Sequence, residues 1–102
     1  MTKTKTSRQL ERHLKGVANH RRIDILFLVK KSSGLTLDDI AGTLDCNFKT
    51  ISGHTQKLVH AGLLNKKYQG REVIHTLSPY GQKLAKLIET FSHSREYENV
   101  RR

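Results

Sequence analysis

At 102 residues the chain is one domain's worth of polypeptide, and with 35% hydrophobic and 6% aromatic residues a single copy has limited apolar surface to bury. A formal net charge of +10, from 19 Lys and Arg against 9 Asp and Glu, favours a polyanionic partner, nucleic acid ahead of an anionic membrane. The lone Cys46 excludes an internal disulfide and a thiolate metal cluster, and no apolar run approaches the ~18 residues of a membrane span.

Residues 1–7 are basic and polar with nothing to bury, and they read as a disordered segment ahead of one domain over residues 8–93. The opening MTKTKTSRQ has a positive start but no apolar stretch behind it, so a cytoplasmic protein is expected. From about Ser7 to Ala18, Leu10, Leu14, Val17 and Ala18 recur at helical spacing. Asn19 is a good N-cap for a second helix, whose Ile23, Ile25, Leu26, Phe27, Leu28 and Val29 cover more than one face and mark it as central to the core. Lys30, Lys31 and Gly34 stop it.

Thr36 and Asp39 form a capping-box pattern for a third helix with Leu37, Ile40, Ala41 and Leu44 as its stripe. Asp45, Cys46 and Asn47 break the period. A fourth helix follows over 48–60, with Ile51, Leu58 and Val59 inward and Ala61-Gly62 closing it. Two such helices with about three residues between them have helix-turn-helix geometry. Over 64–77 the period shortens to suggest two strands around Gln69-Gly70. Ser78-Pro79 then opens a last helix carrying Tyr80, Leu84, Leu87, Ile88 and Phe91 on one face, and 94–102 is a polar tail. The fold class is therefore mainly α with a small β-hairpin, a winged helix-turn-helix in the order α-α-α-α-β-β-α.

The fourth helix carries the functional reading. Away from its apolar face lie Lys49, Thr50, Ser52, Gly53, Gln56 and Lys57, small polar, amide and cationic groups with no acid among them. Gln, Ser and Thr can hydrogen-bond base edges, Lys can reach guanine or phosphate, and a small residue lets the helix sit deep in the major groove. Asn47 caps the helix, and His54 adds packing and a DNA-side contact. Lys66, Lys67 and Arg71 cluster with Gln69 and Gly70 at the hairpin tip, where phosphate or minor-groove contact would be made.

The segments GVANHRRIDILFLV (16–29), LTLDDIAGTLDCNFKTISGHTQKLVHAGLL (35–64) and NKKYQGREVIHTLSPYGQKL (65–84) resemble the core helix, helix-turn-helix and wing of ArsR-type repressors. The resemblance covers about residues 8–92, with Thr50, Ser52, His54, Leu58, Ala61, Gly62 and Leu63 at matching positions. LSPYG is similar to the wing exit of the neighbouring MarR-type proteins. What the resemblance implies is a homodimer built from the first and last helices, binding a two-fold-related operator as a repressor. It assigns Leu10, Leu14 and Val17, with Leu84, Leu87, Ile88 and Phe91, to the dimer seam; intramolecular core is the alternative for these residues. The chain departs from the family at Phe48-Lys49, where Gln-Pro is common, and at Gly53, where Arg is common.

No metal or other cofactor is expected. Thr36-Leu37-Asp38 replaces the family's third-helix Cys-x-Cys site, and in the last-helix site Tyr80 and Gln82 stand with His93 and Glu96, half a ligand set. Cys46 reads as a small core hydrophobe. Enzyme readings fail because no nucleophile–base arrangement and no phosphate loop are present. The rival to a sequence-specific regulator is a winged-helix protein-interaction or architectural module with non-specific DNA affinity.

Overall fold

The computed structural model describes residues 3–93. The chain runs α1 (Ser7–Val17), α2 (His20–Lys31), α3 (Leu37–Leu44), α4 (Phe48–His60), β1 (Leu64–Gln69), β2 (Glu72–Leu77) and α5 (Pro79–Ser92). This is the expected order of a winged helix-turn-helix. The polar tail expected at 94–102 lies outside the described residues.

α2 organises the core because its apolar residues wrap most of its surface. Ile25, Leu26 and Val29 are buried, and the helix touches all four other helices and β2. Ile40, Ala41, Ile51, Leu58, Leu63, Leu64 and Ala85 complete the core, and Cys46 packs against it. Val17, expected at a dimer seam, is 5% exposed and belongs to this intramolecular core. Thr55 joins Ile51 and Leu58 on the inner face of α4, at a helical spacing that its hydroxyl disguises in the sequence.

Local chemistry sets the helix ends. Asn19 and Asn47 each accept two backbone N–H bonds at the starts of α2 and α4. Thr36 and Asp39 form both halves of the capping box on α3. Thr6 and Gln9 form another on α1. Order therefore reaches into the 1–7 segment expected to be disordered. Lys5 Nζ lies 3.9 Å over the Tyr80 ring, a partner on α5 that local composition cannot reveal.

The helix-turn-helix corner closes with Asp45 in the left-handed region (φ 52°), the Cys46 N–H bonding to the Ala41 carbonyl. α4 ends in the same way. Gly62 (φ 76°) bonds to Val59 and Leu63 bonds to Leu58, a Schellman closure that needs the positive φ of glycine.

β1 and β2 pair antiparallel from Leu64↔Leu77 to Gln69↔Glu72. The two-residue turn is Gly70-Arg71, one residue beyond the expected Gln69-Gly70. The positive φ falls on Gly70 alone, so the turn is type II′, whose twist suits a hairpin. A bridge between Leu35 and His75 ties the α2–α3 loop to β2. The His75 N–H and Nδ1 both bond to the Leu35 carbonyl, and the ring is 1% exposed, which makes it a packing residue with no DNA-side surface.

Candidate nucleic-acid interface

α4 presents two faces of different chemistry. Ile51, Thr55 and Leu58 are buried, while Asn47, Lys49, Thr50, Gly53, Gln56 and Lys57 are exposed and Ser52 and His54 are half-buried. The exposed groups include no carboxylate. A Cβ added at Gly53 would meet nothing within 4 Å, so the protein's own packing does not require glycine there. Phe48, 49% exposed, stands at the start of the same helix.

His54 is held by a residue that sequence spacing does not reveal. Arg22 of α2 donates from Nε to His54 Nδ1 at 3.2 Å. An arginine Nε–H can only donate, so Nδ1 accepts and the ring hydrogen of the neutral imidazole resides on Nε2. Burial, followed by the charges of Arg22, His20, Arg21 and Lys57, pushes the His54 pKa below its usual 6.5. The half-buried ring is thus kept in its neutral form as a hydrogen-bond donor.

The wing adds Lys66, Lys67, Gln69, Gly70 and Arg71, all exposed. Arg71, Glu72 and Val73 face Thr36, Asp38 and Phe48 across a shallow cleft, which places the wing tip near the N-terminal end of α4. The register divides the wing cations between two faces. Lys66 lies opposite His75 and Lys67 opposite Ile74. Tyr68, 77% exposed between them and the turn, was not expected as a site residue; strand alternation alone cannot separate an exposed aromatic from a packed one.

Apart from Val17, the residues expected at the dimer seam separate into two groups. Leu10 (47% exposed), Leu14 (53%), Leu87 (62%) and Phe91 (61%) lie on the surface, whereas Leu84 and Ile88 are half-buried against the core. On α5 the face turned to the protomer's own core is Gly81 and Ala85 with Leu84 and Ile88 beside them. Leu10, Leu14, Leu84 and Leu87 line an open groove of about 330 Å³ between α1 and α5, with Tyr80 and His13 at its side.

Among the described residues no three His, Cys, Asp or Glu side chains come together as a metal site. Glu96, the candidate partner of His93, lies outside the described residues. No described helix is long and apolar enough to cross a membrane.

No family model matches the sequence, and no curated protein matches it. Solved structures do. The homodimeric winged helix-turn-helix DNA-binding domain Mb0332 from Mycobacterium bovis, described as a possible ArsR-family regulator, is 21% identical. It superposes with a TM-score of 0.81, covering 100% of this chain and 99% of that one. HlyU from Vibrio cholerae is 26% identical with a TM-score of 0.76, over 87% of this chain and 97% of HlyU. The transcriptional repressor PagR of Bacillus anthracis is 24% identical with a TM-score of 0.73, over 79% of this chain and 93% of PagR. The neighbours include a winged helix-turn-helix domain described as a possible ArsR-family regulator and a transcriptional repressor, and this chain shares their fold.

Proposed function

We propose that the chain is a sequence-specific transcriptional regulator that binds duplex DNA as a homodimer and acts as a repressor. α4 seats in the major groove, with Gln56, Ser52, Thr50 and the Nε2–H of His54 at base edges and Lys49 and Lys57 at bases or phosphates. The wing places Lys66, Lys67, Gln69, Gly70 and Arg71 on the flanking backbone or minor groove. The observation that carries this reading is the outer face of α4, which exposes amide, hydroxyl and cationic groups with no carboxylate beside a basic wing.

The homodimer rests on the apolar surface of α1 and α5, where four large side chains are about half exposed or more in a single copy. The homodimeric state of the Mycobacterium bovis domain supports the same assembly. PagR, a repressor with this fold, supports repression.

The test is selection of bound duplexes from a random pool, followed by binding of the selected duplex in the presence of random competitor. Recovery of a two-fold-related sequence whose preference collapses in Gln56→Ala is the expected result. Enrichment of no sequence, with binding indifferent to that change, would instead establish a module of non-specific affinity.

A further inference from the structure

The structure carries a second basic surface, which meets α4's outer face at Lys57 and lies apart from the wing. Arg12 and Lys15 of α1, Arg22 of α2, and Lys57 and His60 of α4 line a cleft of about 410 Å³. Its floor is the contact of α1 with the end of α4: a Cβ on Gly16 would land on that of Ala61, so the two helices close directly on one another. The consecutive helices α1 and α2 are thereby held against the more distant α4, with cations of all three facing one opening.

Two of the guanidinium groups are fixed in place. Arg12 Nε donates to the His60 carbonyl at 3.1 Å, and Arg22 Nη1 to the carbonyls of Lys15 and Gly16 at 3.4 and 3.3 Å. With Arg22 Nε already on His54, these bonds leave Nη1 and Nη2 of Arg12 and Nη2 of Arg22 to reach an acceptor. Among the described residues, Lys15 is the one member of the cleft with a carboxylate partner, Glu11 at 3.2 Å, and both side chains of that pair are largely in water. A pair so exposed holds its lysine weakly. The pKa of His54, which adjoins Arg22, is lowered first by burial and then by the charges of Arg22, His20, Arg21 and Lys57.

Position gives the cleft its meaning. The wing tip lies toward the N-terminal end of α4, and the cleft at its C-terminal end. α4 has 13 residues, about 20 Å at 1.5 Å per residue, against a major groove about 12 Å wide. A helix of that length seated in the groove has phosphate backbone near both of its ends.

We propose that this cleft is a phosphate-binding site, which grips the DNA backbone at the end of α4 opposite the wing through Arg12, Lys15, Arg22 and His60. The proposal rests on the DNA-binding reading above and assigns these residues to affinity, not to base recognition. The test uses the full chain, a duplex selected from a random pool and a random duplex of the same length, titrated over a range of salt. Lys15→Gln and Arg12→Gln are each expected to weaken binding to both duplexes to a similar degree, several-fold near physiological salt. Each should lower the slope of log K against log salt by about 0.9 per lost contact. The preference for the selected duplex should stay unchanged.

Lys15→Gln guards against a folding artefact, since the Lys15 side chain is exposed and its pair with Glu11 lies at the surface, while the carbonyl that Arg22 uses is backbone and stays. Unchanged affinity and slope in Lys15→Gln and in Arg12→Gln, with Gln56→Ala still abolishing sequence preference, would overturn the proposal and leave the DNA reading intact. Thermal stabilisation of the wild type by inorganic phosphate, with DNA affinity unchanged in both variants, would overturn it in favour of a small-anion site. Failure of the wild type to bind either duplex would remove the DNA reading itself.

Discussion

Gly53→Ala separates what α4 needs in order to fold from what it needs in order to bind. Gly53 lies inside a 13-residue helix, is exposed, and has nothing within 4 Å of where a Cβ would stand. Alanine at such a position gains about 0.8–1.0 kcal/mol of helix propensity. A chain of this size unfolds with an entropy of about 0.2 kcal/mol/K, so the melting temperature should rise by about 4–5 °C. If the helix approaches DNA closely along this face, the added methyl meets the duplex and the affinity falls by about tenfold, or 1.4 kcal/mol. Thermal denaturation at fixed protein concentration and anisotropy titration with a selected duplex read the two effects separately. Gly16→Ala is the matched control. Its methyl would land on the Ala61 Cβ, and overpacking of about 1–3 kcal/mol should lower the melting temperature by 5 °C or more. A Gly53→Ala protein that is more stable and binds equally well would refute close approach as the reason for glycine. One that is less stable would refute the account of the helix.

Leu87→Glu and Leu14→Glu should each convert the protein from dimer to a monomer of 11.7 kDa by light scattering, with each fold retained because both side chains are more than half exposed in one copy; a persisting dimer would move the seam elsewhere. Ser78→Ala removes a buried hydroxyl that donates to the Gly62 carbonyl at 2.6 Å and accepts from the Gly81 N–H at 2.9 Å. Leaving those groups unpaired should cost about 1–3 kcal/mol, read as a melting temperature lower by about 5 °C or more. His54 should make stability depend on pH. Its folded pKa lies below the unfolded 6.5, so the unfolded chain takes up the proton first. Its contribution is full above pH 6.5 and is lost as pH falls toward the lower folded value. His54→Asn should lose less melting temperature than wild type between about pH 7.5 and about pH 5.5; equal losses would show that other groups set the profile.

The sequence alone determined the elements whose signals are local. Asn19, Thr36, Asn47 and Ser78 start their helices because a side-chain oxygen reaches a backbone N–H two or three residues on, and Gly62 stops α4 because it can adopt positive φ. The outer face of α4 was legible for a similar reason: an uninterrupted helix with Ile51 and Leu58 inside must turn Lys49, Gly53, Gln56 and Lys57 outward. Periodicity says that a residue is apolar and shares a face with others, but not which neighbour covers that face. Only the tertiary structure placed Val17 in the protomer's core while leaving Leu10, Leu14, Leu87 and Phe91 at its surface. Likewise, Arg22 reaches His54 across 32 residues, and Arg12 reaches His60 across 48. These pairings depend on how α1, α2 and α4 pack, a property of the assembled core that no local window of sequence contains.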